Sequence, residues 1–149
     1  MGRLMLPEPL GIDADILIYL SEPDHPERAA FLAAEGIGTG HVLVVSTLAI
    51  AEVLVGRHRH GTRAAVARFQ DALERTPGAT VVAASMDIAA EAAAIRAATG
   101  LKLPDAIHLA TAVVSGAAAF LTNDGALTTR GNATIPVLRL DELIAAAQP

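Results

Sequence analysis

Five acidic residues fall where the chain is otherwise apolar or has just left an apolar run. Asp13 and Asp15 directly follow Leu10–Ile12. Glu52 interrupts Leu48-Ala49-Ile50-Ala51 and Val53-Leu54. Asp105 precedes Ala106-Ile107, and Asp124 follows Ala118–Leu121 with Thr122 and Asn123 between. A partly buried carboxylate is costly unless it is paired or binds a cation. Converging carboxylates repel one another and raise each other's pKa values. A hard divalent cation relieves that repulsion, and Mg²⁺ or Mn²⁺ takes oxygen ligands while keeping several waters. Such an ion lowers the pKa of a bound water and stabilises charge on a phosphodiester during in-line displacement. That chemistry needs no covalent nucleophile, in keeping with a chain that has no Cys and no Gly-x-Ser-x-Gly.

Each acid alone has a plainer reading. Asp13 suits a turn or a helix N-cap. Asp105 suits the positive end of a helix dipole. Asp124-Gly125 is a common turn dipeptide. Glu52, among nearly all apolar neighbours, is the hardest to dismiss in this way. The joint pattern favours a site. His108 lies three residues after Asp105, on roughly the same helix face. A ligand or general-base role is open to it, but Mg²⁺ prefers oxygen, so a structural role is the expectation. Tyr19 and Phe31 read as packing residues. The one basic cluster is Arg57-His58-Arg59-His60-Gly61-Thr62-Arg63, extended by Arg68. Arg57, Arg59 and Arg63 are candidates for contact with nucleic-acid phosphates. The competing reading, a solvated helix end and loop, is slightly preferred.

Short β-rich runs alternating with longer alanine-rich runs would position these acids. Strands are expected at Leu10–Ile12, Val42–Val45, Thr80–Ala83, Ala118–Leu121 and Ile135–Leu138. Helices are expected at about Ile16–Leu20, Glu27–Glu35, Thr47–Val55, Thr62–Arg75, Met86–Thr99 and Leu103 to about Ser115, with a short helix after the fourth strand. The third of these is expected to stop near Gly56. A last helix is expected to be capped by Asp141. Pro23, His25 and Pro26 break the chain between the first two helices. This order implies one α/β domain over residues 1–149, a three-layer α/β/α sandwich on a mostly parallel sheet of about five strands. Continuous apolar strands fit burial on both faces. In such sheets sites form outside the carboxyl ends of the strands, where the acids fall.

Composition narrows the function classes. The chain has 149 residues, 52% hydrophobic and 18% charged, which excludes intrinsic disorder. Absence of Cys excludes disulfides and thiolate metal sites and suits a reducing cytoplasm. A net charge of −5 argues against bulk attraction to nucleic acid or anionic membrane, though not against a local basic surface. At 3% aromatics and no Trp, base-stacking platforms are not expected. Neither a signal segment nor a membrane span is expected.

At these residues the sequence resembles the PIN-domain family, most of all the toxin ribonucleases of VapBC-type toxin–antitoxin pairs. The stretch from Gly11 to Leu20 is similar to the opening block, with an Asp at the end of the first strand. Ser46 to Val53 resembles the second block with its Glu, and Leu103 to Ala112 the third, the most specific of the four. Phe120-Leu121-Thr122-Asn123-Asp124 resembles the fourth. The likeness spans about residues 10–143. It implies a PIN fold, Mg²⁺- or Mn²⁺-dependent endoribonuclease activity, a homodimer and inhibition by a small VapB-like antitoxin. By position, Asp13, Glu52, Asp105 and Asp124 would be the catalytic and metal-binding acids, with Thr122 in support through its hydroxyl. Two departures stand out. Position 15 is Asp where many members carry Asn, so Asp15 is either a fifth acid or a supporting partner, with Asn123 a supporting residue beside it. The lead-in before Leu10 is long, which makes Met5 an alternative start. Two rivals stay open: a haloacid-dehalogenase-like phosphatase using Asp13 and Asp15, and a non-catalytic, partner-binding PIN relative. The phosphatase wants a Lys near its site, and the chain has only Lys102.

Overall fold

The computed structural model describes residues 5–21 and 24–149. The break expected at Pro23 and the leading Met1–Leu4 segment lie outside them. Among the described residues, the elements run β1 (Leu10–Ile12), α1 (Ala14–Ser21), α2 (Pro26–Ala34), β2 (Leu43–Ser46), α3 (Thr47–His60), α4 (Arg63–Glu74) and β3 (Ala79–Val82). They continue with α5 (Met86–Thr99), α6 (Leu103–Val114), β4 (Ala119–Thr122), α7 (Gly125–Arg130), a 3₁₀ turn at Gly131–Ala133, β5 (Val137–Arg139) and α8 (Leu140–Ala147). The sheet order is β3-β2-β1-β4-β5, and every pairing is parallel. The chain passes from β3 at one edge to β4 on the far side of β1, so the order reverses between β1 and β4. A crevice opens outside the carboxyl ends of strands at such a reversal.

Alternation along the strands divides the core in two. Leu10 and Ile12 of β1, Leu43 and Val45 of β2, and Ala119 and Leu121 of β4 pack with α1, α2, α3 and α4. Phe120 of β4 joins α5, α6 and α7 on the opposite face. Gly11 points to that second face, and its lack of a side chain sets how closely α6 lies on the sheet. A Cβ there would stand 2.6 Å from Ala112 Cβ and 2.8 Å from Phe120 Cδ2. No side chain fits, so α6 presses onto β1 and carries Asp105 and His108 to the sheet's carboxyl edge.

Three local expectations need correction. The helix α3 does not stop at Gly56 but runs to His60. A glycine inside a helix costs only about 1 kcal/mol relative to Ala, and the packing of α3 against α1 and α4 outweighs it. The basic residues Arg57 and Arg59 therefore belong to the last helical turn, where cations suit the dipole. The strand β3 is an edge strand shifted by one residue, with Thr80 and Val81 exposed, so it is not buried on both faces. Asp141 does not cap α8. Arg139 holds the N-cap position without a side-chain bond, and Asp141 sits in the first turn. Its carboxylate instead pairs with Arg28, which outcompetes a cap because both carboxylate oxygens are satisfied at once, at 3.0 and 2.8 Å.

Candidate active site

The chain leaves β1 at Asp13, whose N–H donates to Leu121 O at 3.0 Å, continuing the β1–β4 ladder by one step. Its carbonyl accepts from Ile16 N and Leu17 N, so the same residue opens α1. The turn reading of Asp13 and the site reading thus coexist. The side chain is buried, 6% exposed. Its Oδ1 accepts from Ala14 N at 2.8 Å and its Oδ2 from the Thr122 hydroxyl at 2.7 Å. Each oxygen accepts one hydrogen bond, which fixes the carboxylate's orientation and leaves a lone pair on each for a further partner. Thr122 is fully buried and accepts from Asp124 N at 3.0 Å through the same hydroxyl, so one side chain ties β1 to the turn after β4. Burial pushes the Asp13 carboxyl up, against the hydrogen bonds from Thr122 and Ala14.

Asp15 lies in the first turn of α1 and accepts from Asn123 N at 2.8 Å through Oδ2. Its Oδ1 is buried with no hydrogen-bond partner among the described residues. Burial, then the charges of Asp13 and Asp124, push its pKa up to about 7. The Asn123 amide reaches further. Its Oδ1 accepts from Asp141 N at 3.1 Å, and its Nδ2 donates to Tyr19 Oη at 3.4 Å. Tyr19 is therefore more than a packing residue. Its ring also meets His25 edge-on at 4.9 Å and lies 4.8 Å beneath the Arg28 guanidinium.

The remaining acids come from helices. Asp105 is the third residue of α6, where Pro104 costs no hydrogen bond. Burial, then the charges of Asp13 and Asp124, raise its pKa. Asp124 is exposed and caps α7, its Oδ1 accepting from Ala126 N at 2.8 Å, so the turn reading holds for its local geometry. Glu52 departs from expectation, since its side chain is 41% exposed although its sequence neighbours are apolar. It lies on the open side of α3 and meets His108 Nε2 at 3.0 Å. The His108 ring is fully buried and also lies 3.9 Å from Asp13 Oδ1.

No three His, Asp or Glu side chains among the described residues already converge closely enough to grip an ion. The donor chemistry nonetheless fits a hard divalent cation. The acids offer only oxygen, one Asp15 oxygen is buried without a partner, and Asp13, Asp15 and Asp105 are raised first by burial and further by neighbouring carboxylates. Mg²⁺ keeps most of its waters and needs few direct carboxylates, so a loose ring of acids suffices.

The basic cluster stands apart from this edge. Arg57 donates to Ser21 Oγ at 2.8 Å and lies 5.9 Å over the Phe69 ring. Arg59 and Arg63 are exposed at the corner between α3 and α4. An apolar cavity of about 630 Å³ lies near Arg57, lined by Leu17, Leu20, Phe69 and Leu73 among others. None of the five acids lines it. The sequence reading missed the Arg28–Asp141 pair and the contact between His108 and Glu52. The spacing of His108 from Asp105 was the only available signal for the second, and nothing signalled the first.

Among solved structures, the chain is similar to a toxin–antitoxin complex from Klebsiella pneumoniae, at 31% identity over 88% of this chain and 96% of that one, with a TM-score of 0.66. FitAcB from Neisseria gonorrhoeae shares the fold at 18% identity, covering 88% and 97%, TM-score 0.68. VapBC2 from Rickettsia felis, bound to a DNA fragment from its promoter, does so at 13% identity, covering 87% and 97%, TM-score 0.68. No curated protein matches the chain. No helix among the described residues is long and apolar enough to cross a membrane. The model of the PIN domain matches residues 11–146, a span that starts beside Asp13 and takes in every strand but the first residue of β1, and the chain belongs to that family.

Proposed function

We propose that this chain is a Mg²⁺- or Mn²⁺-dependent endoribonuclease that acts as the toxin of a toxin–antitoxin pair. The crowding at the carboxyl edge carries the reading. Burial and neighbouring charge push Asp13, Asp15 and Asp105 upward together, and a divalent cation is the partner that lets such groups stay ionised side by side. Asp13, Glu52, Asp105 and Asp124 would hold the ion. When bound, it supplies Lewis-acid stabilisation of phosphoryl charge and a more acidic water. The chain's own residues fix the acids. Thr122 orients Asp13, and the Asn123 peptide orients Asp15.

Membership in the PIN family and 31% identity to a toxin–antitoxin complex support the toxin role. A small VapB-like antitoxin would block the site most simply by placing an Arg or Lys among the acids, since a guanidinium pairs bidentately with carboxylate. Exposed Arg59 and Arg63 suit contact with RNA phosphates, and Arg57 would join them only by releasing Ser21. The chain would work as one domain in the cytoplasm and as a homodimer, for which exposed Val81, Met86 and Leu103 on β3, α5 and α6 offer apolar surface.

The test is cleavage of single-stranded RNA by the purified chain and by Asp105→Asn, each with Mg²⁺ or Mn²⁺. The parent is expected to cleave, and the folded variant to lose on the order of a thousandfold, as removal of a charged ion ligand implies. Equal rates would remove the acids from the reaction. Growth arrest on expression, relieved by the same change, is the expected result in cells.

A further inference from the structure

Glu52 is the weak point of the acid ring. Asp13 is held by the backbone and by Thr122, Asp15 by a peptide N–H, and Asp124 by its own capping bond. Glu52 has a longer side chain, lies on the open face of α3 and is 41% exposed. A free glutamate there would sample many rotamers. What restrains it is a ring that is itself immobile. His108 sits on α6, fully buried, where the gap left by Gly11 draws that helix onto β1.

The hydrogen-bond chemistry fixes the role of the ring nitrogen that faces Glu52. A carboxylate oxygen only accepts, so His108 Nε2 donates to Glu52 Oε2 at 3.0 Å. Nδ1 is buried with no partner among the described residues, and in the neutral ring it carries only a lone pair. A bare acceptor is tolerated in such a place more readily than a stranded N–H. The donating nitrogen also lies 3.9 Å from Asp13 Oδ1, so the ring stands between two acids from different elements.

We infer that His108 is a positioning residue, whose buried Nε2–H holds the Glu52 carboxylate toward Asp13 and so completes the ion-binding edge. It is neither an ion ligand nor a general base. The nitrogen that faces the acids is already committed to Glu52, and Nδ1 is buried. This inference rests on the proposed function for its consequence, while the hydrogen bond itself does not.

The test is a double-mutant cycle on Mn²⁺ affinity, measured calorimetrically on the full chain. His108→Leu is expected to weaken Mn²⁺ binding about tenfold, the size of one lost hydrogen bond to a charged acceptor. His108→Gln, whose amide N–H reaches the position of Nε2, is expected to recover binding to within about threefold of the parent. In a Glu52→Ala background, His108→Leu should change nothing further. Equal losses with Leu and Gln, or the same loss with and without Glu52, would overturn the inference in favour of a purely structural histidine. If His108→Leu does not fold, His108→Asn, too short to reach Glu52, replaces it. A second readout uses the metal-free protein. Two-bond ¹H–¹⁵N spectra of the imidazole should show a proton on Nε2, with its resonance displaced by Glu52→Ala. An Nδ1–H tautomer would overturn the contact. Should the parent bind no Mn²⁺, the ion of the proposed function falls, and the imidazole spectra alone decide the role of His108.

Discussion

Asp15 and Asp141 are both hydrogen-bonded to Asn123, yet their surroundings push them in opposite directions. Asp15 receives the Asn123 peptide N–H, while the Asn123 side-chain oxygen takes the N–H of Asp141. Burial and the charges of Asp13 and Asp124 raise Asp15 to about 7. The Arg28 guanidinium lowers Asp141 to about 2. One carboxylate is met by a cation from its own chain and is satisfied, so its work is to clamp α8 to α2. The other is packed with its like and left with a bare oxygen. In a single chain, an acid that the fold has not neutralised is the better candidate for binding something from outside.

The largest expected effect breaks this contrast at its centre. Asp13→Asn should lower RNA cleavage by on the order of a thousandfold, while Asp141→Asn should leave it within about twofold. Both are to be assayed on folded protein in parallel, and comparable losses would erase the distinction between the two acids. A smaller loss is expected from Thr122→Val. It removes the hydroxyl that orients Asp13 and meets Asp124 N, and outer-shell partners of this kind contribute about 10–100-fold to metal affinity or activity. Mn²⁺ titration checks it.

Thermal melts against pH sharpen the comparison further. Asp15 has a folded pKa of about 7 against an ordinary 3.8, so between those values the native state holds more protons than the unfolded one. Its contribution to stability is then full below about pH 4 and is lost as pH rises through about 7. Asp13 and Asp105 are shifted the same way and add to the decline. In metal-free buffer the melting temperature should drop by on the order of 5 °C over this range. Asp15→Asn should flatten the decline, and millimolar Mn²⁺ should raise stability most at the upper end. An unchanged slope in Asp15→Asn would remove Asp15 as its source.

The smallest effect belongs to the clamp. Asp141 is depressed, so its contribution is present above about pH 4 and is lost as pH falls through about 2. The pair is partly exposed, at 30% and 43%, and solvent screening holds its worth below about 1 kcal/mol. Arg28→Ala should therefore cost little at neutral pH and remove that acid limb, which denaturant melts between pH 2 and 5 would resolve.

The strands to within a residue or two, their parallel direction and the placing of acids just after apolar runs were legible because they depend on local pattern. Apolar runs ending in Asp or Thr-Asn-Asp mark strand ends whatever the rest of the chain does. The misplaced stop of α3 shows the limit of that reading. Gly56 is a weak breaker, and packing on α1 and α4 overrides it. Asp141 looked like a cap because its partner Arg28 lies 113 residues away.

The sequence by itself determined which chemistry was available: carboxylates at strand ends, no thiol, and a single lysine. Residue types and short-range spacing suffice for that. Only the tertiary structure decided which acids are left unneutralised. Glu52 and His108 are 56 residues apart, and Asp15 and Asn123 are 108 apart. Those pairs meet because Gly11 lets α6 settle on β1 and because β4 returns beside β1. Burial, and the choice between a guanidinium and another carboxylate as neighbour, arise only once the chain has closed, and they set the protonation of each acid.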